Sequence, residues 1–179
     1  MEYRKVLDFW FNEVDPKKHF EKDEGLDQEI YTRFNQVHQQ AVQGELAHWR
    51  TTLEGCLAEI IVLDQFSRNI YRGDPRSFAY DGMALVLAQE AIEQYDVSTL
   101  SKAELSFLYM PFMHSESLVI HEKALEYFHT EGLAEPLKFE IAHHDILVRF
   151  GRYPHRNEIL GRTSTPEEVA FLKQPGSSF

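Results

Sequence analysis

Residues 149–162 concentrate side chains that could bind an anion. The stretch reads RFGRYPHRNEILGR and has a single acid, Glu158, in a chain whose formal net charge is −11. Guanidinium groups form paired hydrogen bonds with carboxylates and phosphates. The cluster therefore either pairs with acids inside the protein, such as Asp64 and Glu116, or holds an anionic ligand. Its basic residues are Arg149, Arg152, His155, Arg156 and Arg162.

A second polar patch, YMPFMHSES, covers residues 109–117. Proline disfavours helical geometry in the residue before it, so we expect a helix to stop just before Pro111. His114, Ser115 and Glu116 then lie near the start of the next helix, where free N–H groups favour anions. A serine here could equally cap that helix, and the histidine and glutamate could form an acid–base pair.

A third patch, LDQFSRNIYR, follows the most apolar helix predicted in the chain. Asp64 and Arg68 are four residues apart, which favours an ion pair on one helical face. Gln65 and Asn69 form a second polar pair beside it. Since buried charges persist only when they are paired or coordinated, the patch is either an anchor for the helix or the polar floor of a ligand site.

The helix predicted before the Tyr-Pro turn places one histidine among apolar residues. His143 shares a helical stripe with Leu147 and Phe150, so we expect it to point inward. Such a histidine is either a hydrogen-bonded core residue or a catalytic or ligand-binding group. Arg149 and Arg152 are predicted in the last turn, where cations interact well with the helix dipole.

Two short motifs resemble half of a di-iron site. Glu140-x-x-His143 and Glu45-x-x-His48 match the glutamate–histidine unit of helical di-iron proteins. That site requires two further inward glutamates, and no spacing in the sequence selects them. We therefore predict no metal and no cofactor.

Helical signals run through the whole chain. Residues 57–63 are apolar on nearly all sides, which is typical of a buried central helix. Ser101 and Thr165 each precede a glutamate three residues later, the pattern of a capping box. Asp74 and Pro75 predict the start of another helix.

These signals predict an all-α fold. We expect a single domain of about seven or eight helices over residues 1–179, with residues 174–179 as a loop tail. No stretch reaches the length of a membrane span, and the negative charge disfavours nucleic acids and anionic membranes as partners. The single cysteine, Cys56, fits a soluble cytoplasmic protein.

Several long blocks carry a family resemblance. LDQFSRNIYRGDPRSFAYD, FLYMPFMHSES and RFGRYPHRNEILGRTSTPEE, together with VLDFWF and GELAHW, resemble the blocks of the bacterial domain of unknown function 924 family. The resemblance runs almost from end to end. It implies a tetratricopeptide-like α/α-superhelix and brings no established activity. In small departures from the family pattern, Ser67 stands where proline is common, Tyr153 replaces phenylalanine, and His121 stands where glutamine is common.

The sequence thus predicts a polar pocket for a small anion, a carboxylate or a phosphate. The alternatives are a helical scaffold that binds a protein or peptide without catalysis, and arginines that only join helix ends. Whether a reaction occurs stays open, and the candidate catalytic residues are His114, Glu116, His143 and His155. The candidate ligand-binding residues are Asp64, Gln65, Arg68, Asn69, His114, Ser115, Glu116, His143, Arg152, His155, Arg156 and Asn157.

Overall fold

A computed structural model describes residues 1–179 as helices and turns without a β-strand, which confirms the all-α prediction. The α-helices are α1 Tyr3–Asp8, α2 Glu24–Val42, α3 Leu53–Ile61, α4 Ser67–Ile70, α5 Asp81–Gln94, α6 Lys102–His114, α7 Leu118–Phe128, α8 Ala134–Phe150 and α9 Pro166–Phe171. Turns of π-helix lie at Phe9–Glu13 and Val62–Phe66, and turns of 3-10 helix at Pro16–Phe20, Ala47–Thr51, Pro75–Ser77, Val97–Thr99 and Pro154–Arg156. None of these helices has both the length and the apolar character needed to cross a membrane.

The backbone packs into two compact units. Unit 1 comprises residues 1–72 and 76–111, and unit 2 comprises residues 73–75 and 112–179. The single domain expected over residues 1–179 stays a prediction.

Unit 1 is organised around α3, the helix that the sequence marks as apolar on nearly all sides. Its residues from Gly55 to Ile61 are all buried, and it packs against α1 and α5. Gly55 lets the start of α3 approach the preceding turn, since a Cβ there would lie 1.9 Å from the carbonyl oxygen of Trp49. The π-helical turn Val62–Phe66 continues α3 and is itself buried, which carries Asp64 and Gln65 into the interior.

Unit 2 is built on α7 and α8, which pack against each other. Gly151 ends α8 in the left-handed conformation, with φ of 71°, which glycine adopts without steric cost. The loop that follows buries Tyr153 against Ile146 and Leu147 of α8. It leads to α9, whose first turn holds the expected capping box of Thr165 and Glu168.

Helix α6 runs through its proline, so the predicted stop before Pro111 was wrong. The helix continues to His114 with Pro111 inside it. Pro111 has no N–H for the hydrogen-bond ladder, but Met110, Phe112 and Met113 around it are all buried. Apolar burial at these positions outweighs the local preference.

Two predicted helix starts had different outcomes. At the start of α6, the Ser101 N–H donates to Glu104 Oε2 over 2.8 Å and the Glu104 N–H donates to Ser101 Oγ over 3.3 Å, which confirms the capping box. Pro75, in contrast, begins only the short turn Pro75–Ser77, and the long helix starts at Asp81.

Candidate functional site

Asp64 and Arg68 of unit 1 form the expected ion pair inside a larger network. Arg68 Nη1 lies 3.1 Å from Asp64 Oδ1 and also donates to the Asp64 carbonyl oxygen over 2.8 Å. The same guanidinium donates to both oxygens of Asp81, over 2.8 Å and 3.0 Å. This geometry fits the interpretation that the patch anchors the end of the central helix.

The other two polar residues of this patch do not pair with each other. Gln65 donates to Asp64 Oδ2 over 2.6 Å and lies 3.2 Å from the sulfur of Met110. Asn69 donates to Asp27 over 2.8 Å. The expected four-residue spacing fails because Gln65 lies in a π-helical turn, whose wider spacing differs from that of an α-helix.

Asn69 also lines a cavity of about 410 Å³ on unit 1. Glu24 and Asp27 line the same cavity, and Arg72 donates to Asp27 over 2.6 Å. The carboxylates make this an unsuitable place for an anion. The full lining is Glu24, Asp27, Gln28, Tyr31, Asn69 and Ile70.

Arg152 of unit 2 binds an internal acid. Its Nε and Nη2 donate to the two oxygens of Glu168 over 2.7 Å and 2.8 Å. These bonds hold the pKa of Glu168 far below its usual range, at about 2. Arg152 lies beyond the end of α8, not in its last turn as predicted, because Gly151 has already turned the chain.

Arg162 makes a second paired contact, with Glu116. Its Nη1 and Nη2 donate to the two Glu116 oxygens over 2.8 Å and 2.9 Å, and the Tyr153 N–H donates to the same carboxylate over 2.7 Å. Burial opposes the ionisation of Glu116, but the Arg162 and Tyr153 hydrogen bonds and the nearby charge of Arg156 hold its pKa below the usual value. Glu116 is therefore a fixed carboxylate, which is unsuited to the acid role of an acid–base pair.

The remaining polar residues of the loop join it to its neighbours. Arg149, in the last turn of α8 as predicted, pairs with Glu167 over 3.0 Å at the surface. Asn157 is buried, donates to Glu168 over 3.3 Å and accepts from Arg162 over 2.9 Å. These contacts favour a structural role for most of the arginine-rich segment.

Neither Ser115 nor Ser117 caps α7 with its side chain, so the expected serine cap is absent. Ser115 Oγ accepts from the Ser117 N–H over 3.2 Å. Ser117 precedes the first residue of α7, but its side chain makes no capping hydrogen bond.

Imidazole rings gather around Tyr153, whose side chain is fully buried. The ring centroids of His121, His143 and His155 lie 6.4 Å, 5.4 Å and 5.7 Å from that of Tyr153. His114 is next to His143, with their centroids 6.5 Å apart. We call these four histidines and Tyr153 the histidine cluster.

Arg156 adds a guanidinium to the histidine cluster. Its carbon Cζ lies 4.8 Å from the Tyr153 ring centroid, and its Nη2 donates to the carbonyl oxygen of His114 over 2.9 Å. Arg156 is buried, whereas His114 and His155 are half-buried. The structure thus brings together four of the predicted site residues: His114, His143, His155 and Arg156.

His143 points inward as its helical stripe predicts. Its Nδ1 lies 2.7 Å from the Phe139 carbonyl oxygen, which can only accept, so Nδ1 carries the hydrogen and Nε2 the lone pair. Burial lowers the pKa of His143 to about 3. Near neutral pH the ring is therefore an uncharged acceptor.

A buried pair that the sequence interpretation missed supports the cluster. His121 Nδ1 and Glu140 Oε1 lie 2.6 Å apart with both side chains inaccessible to solvent, and burial raises the pKa of Glu140. His121 Nε2 lies 2.8 Å from the Ser115 carbonyl oxygen. The sequence contains one signal for the burial of His121, which shares the apolar face of α7 with Ala124 and Phe128.

The glutamate of one di-iron-like motif pairs with a histidine of another helix, and the glutamate of the other motif lies at the surface. Glu140 pairs with His121, and both Glu45 and His48 are exposed. Glu59, a further buried glutamate, binds Arg50 through two bonds of 2.7 Å. The structure shows no group of three or more histidine, cysteine, aspartate or glutamate side chains arranged to hold a metal ion.

The family and the solved structure that this chain resembles are both described as being of unknown function. Residues 6–176 match the sequence profile of a family described as a bacterial protein of unknown function, DUF924. The solved structure of a protein of unknown function from Agrobacterium tumefaciens is similar, with 37% identity, a TM-score of 0.90 and 96% of each chain covered. Curated proteins give no match.

Proposed function

The chain belongs to the bacterial family of unknown function DUF924, and we propose that its unit 2 binds a small anion, a carboxylate or a phosphate, at the histidine cluster. The observation that carries this proposal is the gathering of His143, His155 and Arg156 about Tyr153, with His114 beside His143. Guanidinium and imidazole groups are the donors that proteins use for carboxylates and phosphates.

The neighbouring ion pairs give the loop a fixed position. Arg162 binds Glu116 and Arg152 binds Glu168, each through two hydrogen bonds. Their charges cancel within each pair, so these arginines position the loop and do not contact the ligand. Arg152 and Glu116 are therefore assigned a supporting role in the proposed site.

Arg156 and His155 are the groups that we assign to the anion itself. The charge of Arg156 lowers the pKa of Glu116, so its guanidinium also interacts with that carboxylate. His155 is half-buried and thus accessible from solvent, and it follows Tyr153 by two residues. His143 is neutral near neutral pH, so it contributes no charge to the binding of the anion.

Calorimetric titration with inorganic phosphate and with acetate at low salt tests the proposal. The variants are Arg156→Gln and His155→Ala, with Arg149→Gln as the matched control because Arg149 pairs with Glu167 at the surface. We expect wild type and the control to bind one of the two anions and both test variants to bind at least roughly tenfold more weakly, the effect of losing one charge-assisted contact.

His155→Ala keeps the test informative if the loss of the buried Arg156 side chain prevents folding. Circular dichroism establishes that each variant is folded before titration. Absence of binding by wild type, or equal affinity in wild type and His155→Ala, contradicts the proposal.

A protein- or peptide-binding scaffold is the second candidate function. It is favoured by large apolar side chains exposed on α8, where Phe139, Ile141 and Val148 are 55%, 43% and 61% exposed. Ile141 and Val148 are seven residues apart and share one face of the helix. Peptides selected on wild type should lose binding to an Ile141→Glu, Val148→Glu variant but retain it with His155→Ala.

Two further expectations stay predictions. The cytoplasmic location is suggested by the single cysteine, and the tetratricopeptide-like superhelix by the family resemblance.

A further inference from the structure

Phe179 stacks on the histidine cluster from the segment 174–179. Its ring centroid lies 3.8 Å from that of His143 with an interplanar angle of 24°, a face-to-face stack. The same ring meets His155 at 6.2 Å and 74°, an edge contact. Phe179 nevertheless remains 50% exposed, so these contacts bury only part of its surface.

His143 is chemically suited to hold an aromatic ring. The Phe139 carbonyl oxygen, 2.7 Å from Nδ1, fixes the ring orientation, and the edge of the imidazole faces Tyr153 at 88°. Because the imidazole is uncharged near neutral pH, its face can pack against an aromatic ring without desolvating a charge.

The segment that carries Phe179 has few anchors. It follows α9, outside any α-helix, and its first residue, Gln174, donates a backbone hydrogen bond to Phe171 over 2.9 Å. Ser177 Oγ donates to the Leu172 carbonyl oxygen over 3.2 Å. Displacing Phe179 therefore breaks its stack on His143 and its edge contact with His155. Phe179 also lies outside the matched residues 6–176, so this contact concerns the present chain and is not carried by the family match.

We infer that the ligand of this site is a small aromatic carboxylate, whose ring takes the place of Phe179 on His143. This inference rests on the proposed anion site and names its ligand class. The carboxylate then lies toward His155 and Arg156, because His155 borders both Phe179 and Tyr153, and Arg156 lies over the Tyr153 ring. In the absence of ligand, Phe179 occupies the ring position and competes with it.

Titration with three carboxylates separates the ring from the charge. The probes are phenylacetate, cyclohexylacetate and acetate, which share the carboxylate and differ in the ring. Stacked aromatic pairs add a free energy that corresponds to roughly a two- to tenfold change in affinity. We expect phenylacetate to bind more tightly than cyclohexylacetate by about this factor.

Phe179→Ala tests the competition directly. Removing the competing ring should raise the affinity for phenylacetate by a similar factor, roughly two- to tenfold, and leave that for acetate unchanged. Phe20→Ala is the matched control, since Phe20 is 70% exposed and lies in unit 1, outside the histidine cluster. The control should bind all three probes as wild type does.

The outcomes distinguish this inference from the proposed anion site on which it rests. If acetate and phenylacetate bind, but phenylacetate equals cyclohexylacetate and Phe179→Ala changes nothing, the aromatic subsite is wrong and the anion site stands. If neither wild type nor Phe179→Ala binds any carboxylate or phosphate, both are wrong. Tighter phenylacetate binding in Phe179→Ala but not in Phe20→Ala supports both.

Discussion

The charge on Glu168 should make a large contribution to stability that can be isolated by Glu168→Gln. The Glu168 side chain is 3% exposed, accepts two hydrogen bonds from Arg152 and one from the Thr165 N–H. Glutamine has the same shape and also serves at this position of a capping box, so the substitution removes the charge and keeps the cap.

The size of the effect follows from the pKa. A pKa lowered from 4.5 to about 2 corresponds to about 3 kcal/mol of stability at pH 7. Because the pKa in the folded state is the lower one, this contribution is complete above pH 4.5 and is lost as the pH falls from 4.5 toward 2. At pH 3 less than about half of it should remain.

Urea unfolding followed by circular dichroism measures the effect. With a slope of about 2 kcal/mol per molar urea, Glu168→Gln should lower the midpoint at pH 7 by about 1.5 M. Glu167→Gln is the matched control, because the Glu167 side chain is 64% exposed and its pair with Arg149 lies at the surface. We expect the control to change stability by less than about 0.5 kcal/mol.

Two results would refute this reasoning. One is an equal midpoint for Glu168→Gln and Glu167→Gln at pH 7. The other is a difference between wild type and Glu168→Gln that stays the same at pH 3. Comparing the two proteins at each pH cancels the titration of all other groups, so a constant difference would mean that the Arg152 pair is not the source of the stability.

Three other predictions concern packing and hydrogen bonding. Gly55→Ala should lower the free energy of unfolding by about 3 kcal/mol or more in the same urea assay, because its Cβ would meet the backbone oxygen of Trp49. The control, Gly82→Ala, has open space around it and should be neutral or stabilise the protein by up to about 1 kcal/mol. Burial of Cys56 raises the pKa of its thiol. Ellman's reagent at pH 7.5 should therefore label Cys56 only as fast as the protein unfolds, and immediate labelling would contradict its burial. Tyr153→Phe should lower the free energy of unfolding by about 1–3 kcal/mol, since the Tyr153 hydroxyl donates to the buried carbonyl oxygen of Met113 over 2.6 Å. An unchanged melting temperature would show that water replaces that bond.

Features that depend on neighbouring residues were predictable from the sequence. Residue types a few positions apart predict the capping boxes at Ser101 and Thr165, the burial of α3 and the inward face of His143. Capping and helical periodicity are local effects, so they act in the same way whatever the rest of the chain does.

Local rules failed where burial competed with them. Pro111 predicts a helix end, but the buried side chains around it keep α6 continuous to His114. Gln65 and Asn69 have the spacing of a helical pair, but the buried π-helical turn directs them to Met110 and Asp27 instead. Tertiary packing thus exceeds a preference of about 3 kcal/mol at Pro111 and one of only about 0.5 kcal/mol or less for the Gln65–Asn69 pair.

The sequence by itself determined an all-α chain with an arginine-rich segment and named most of the residues that gather at the histidine cluster. Only the tertiary structure decided the partners: Glu116 for Arg162, 46 residues away, Glu168 for Arg152, and Glu140 for His121. The physical reason is that an arginine fork binds an internal carboxylate and an external anion through the same hydrogen bonds. Which of the two it meets depends on how distant segments pack, which no local pattern encodes.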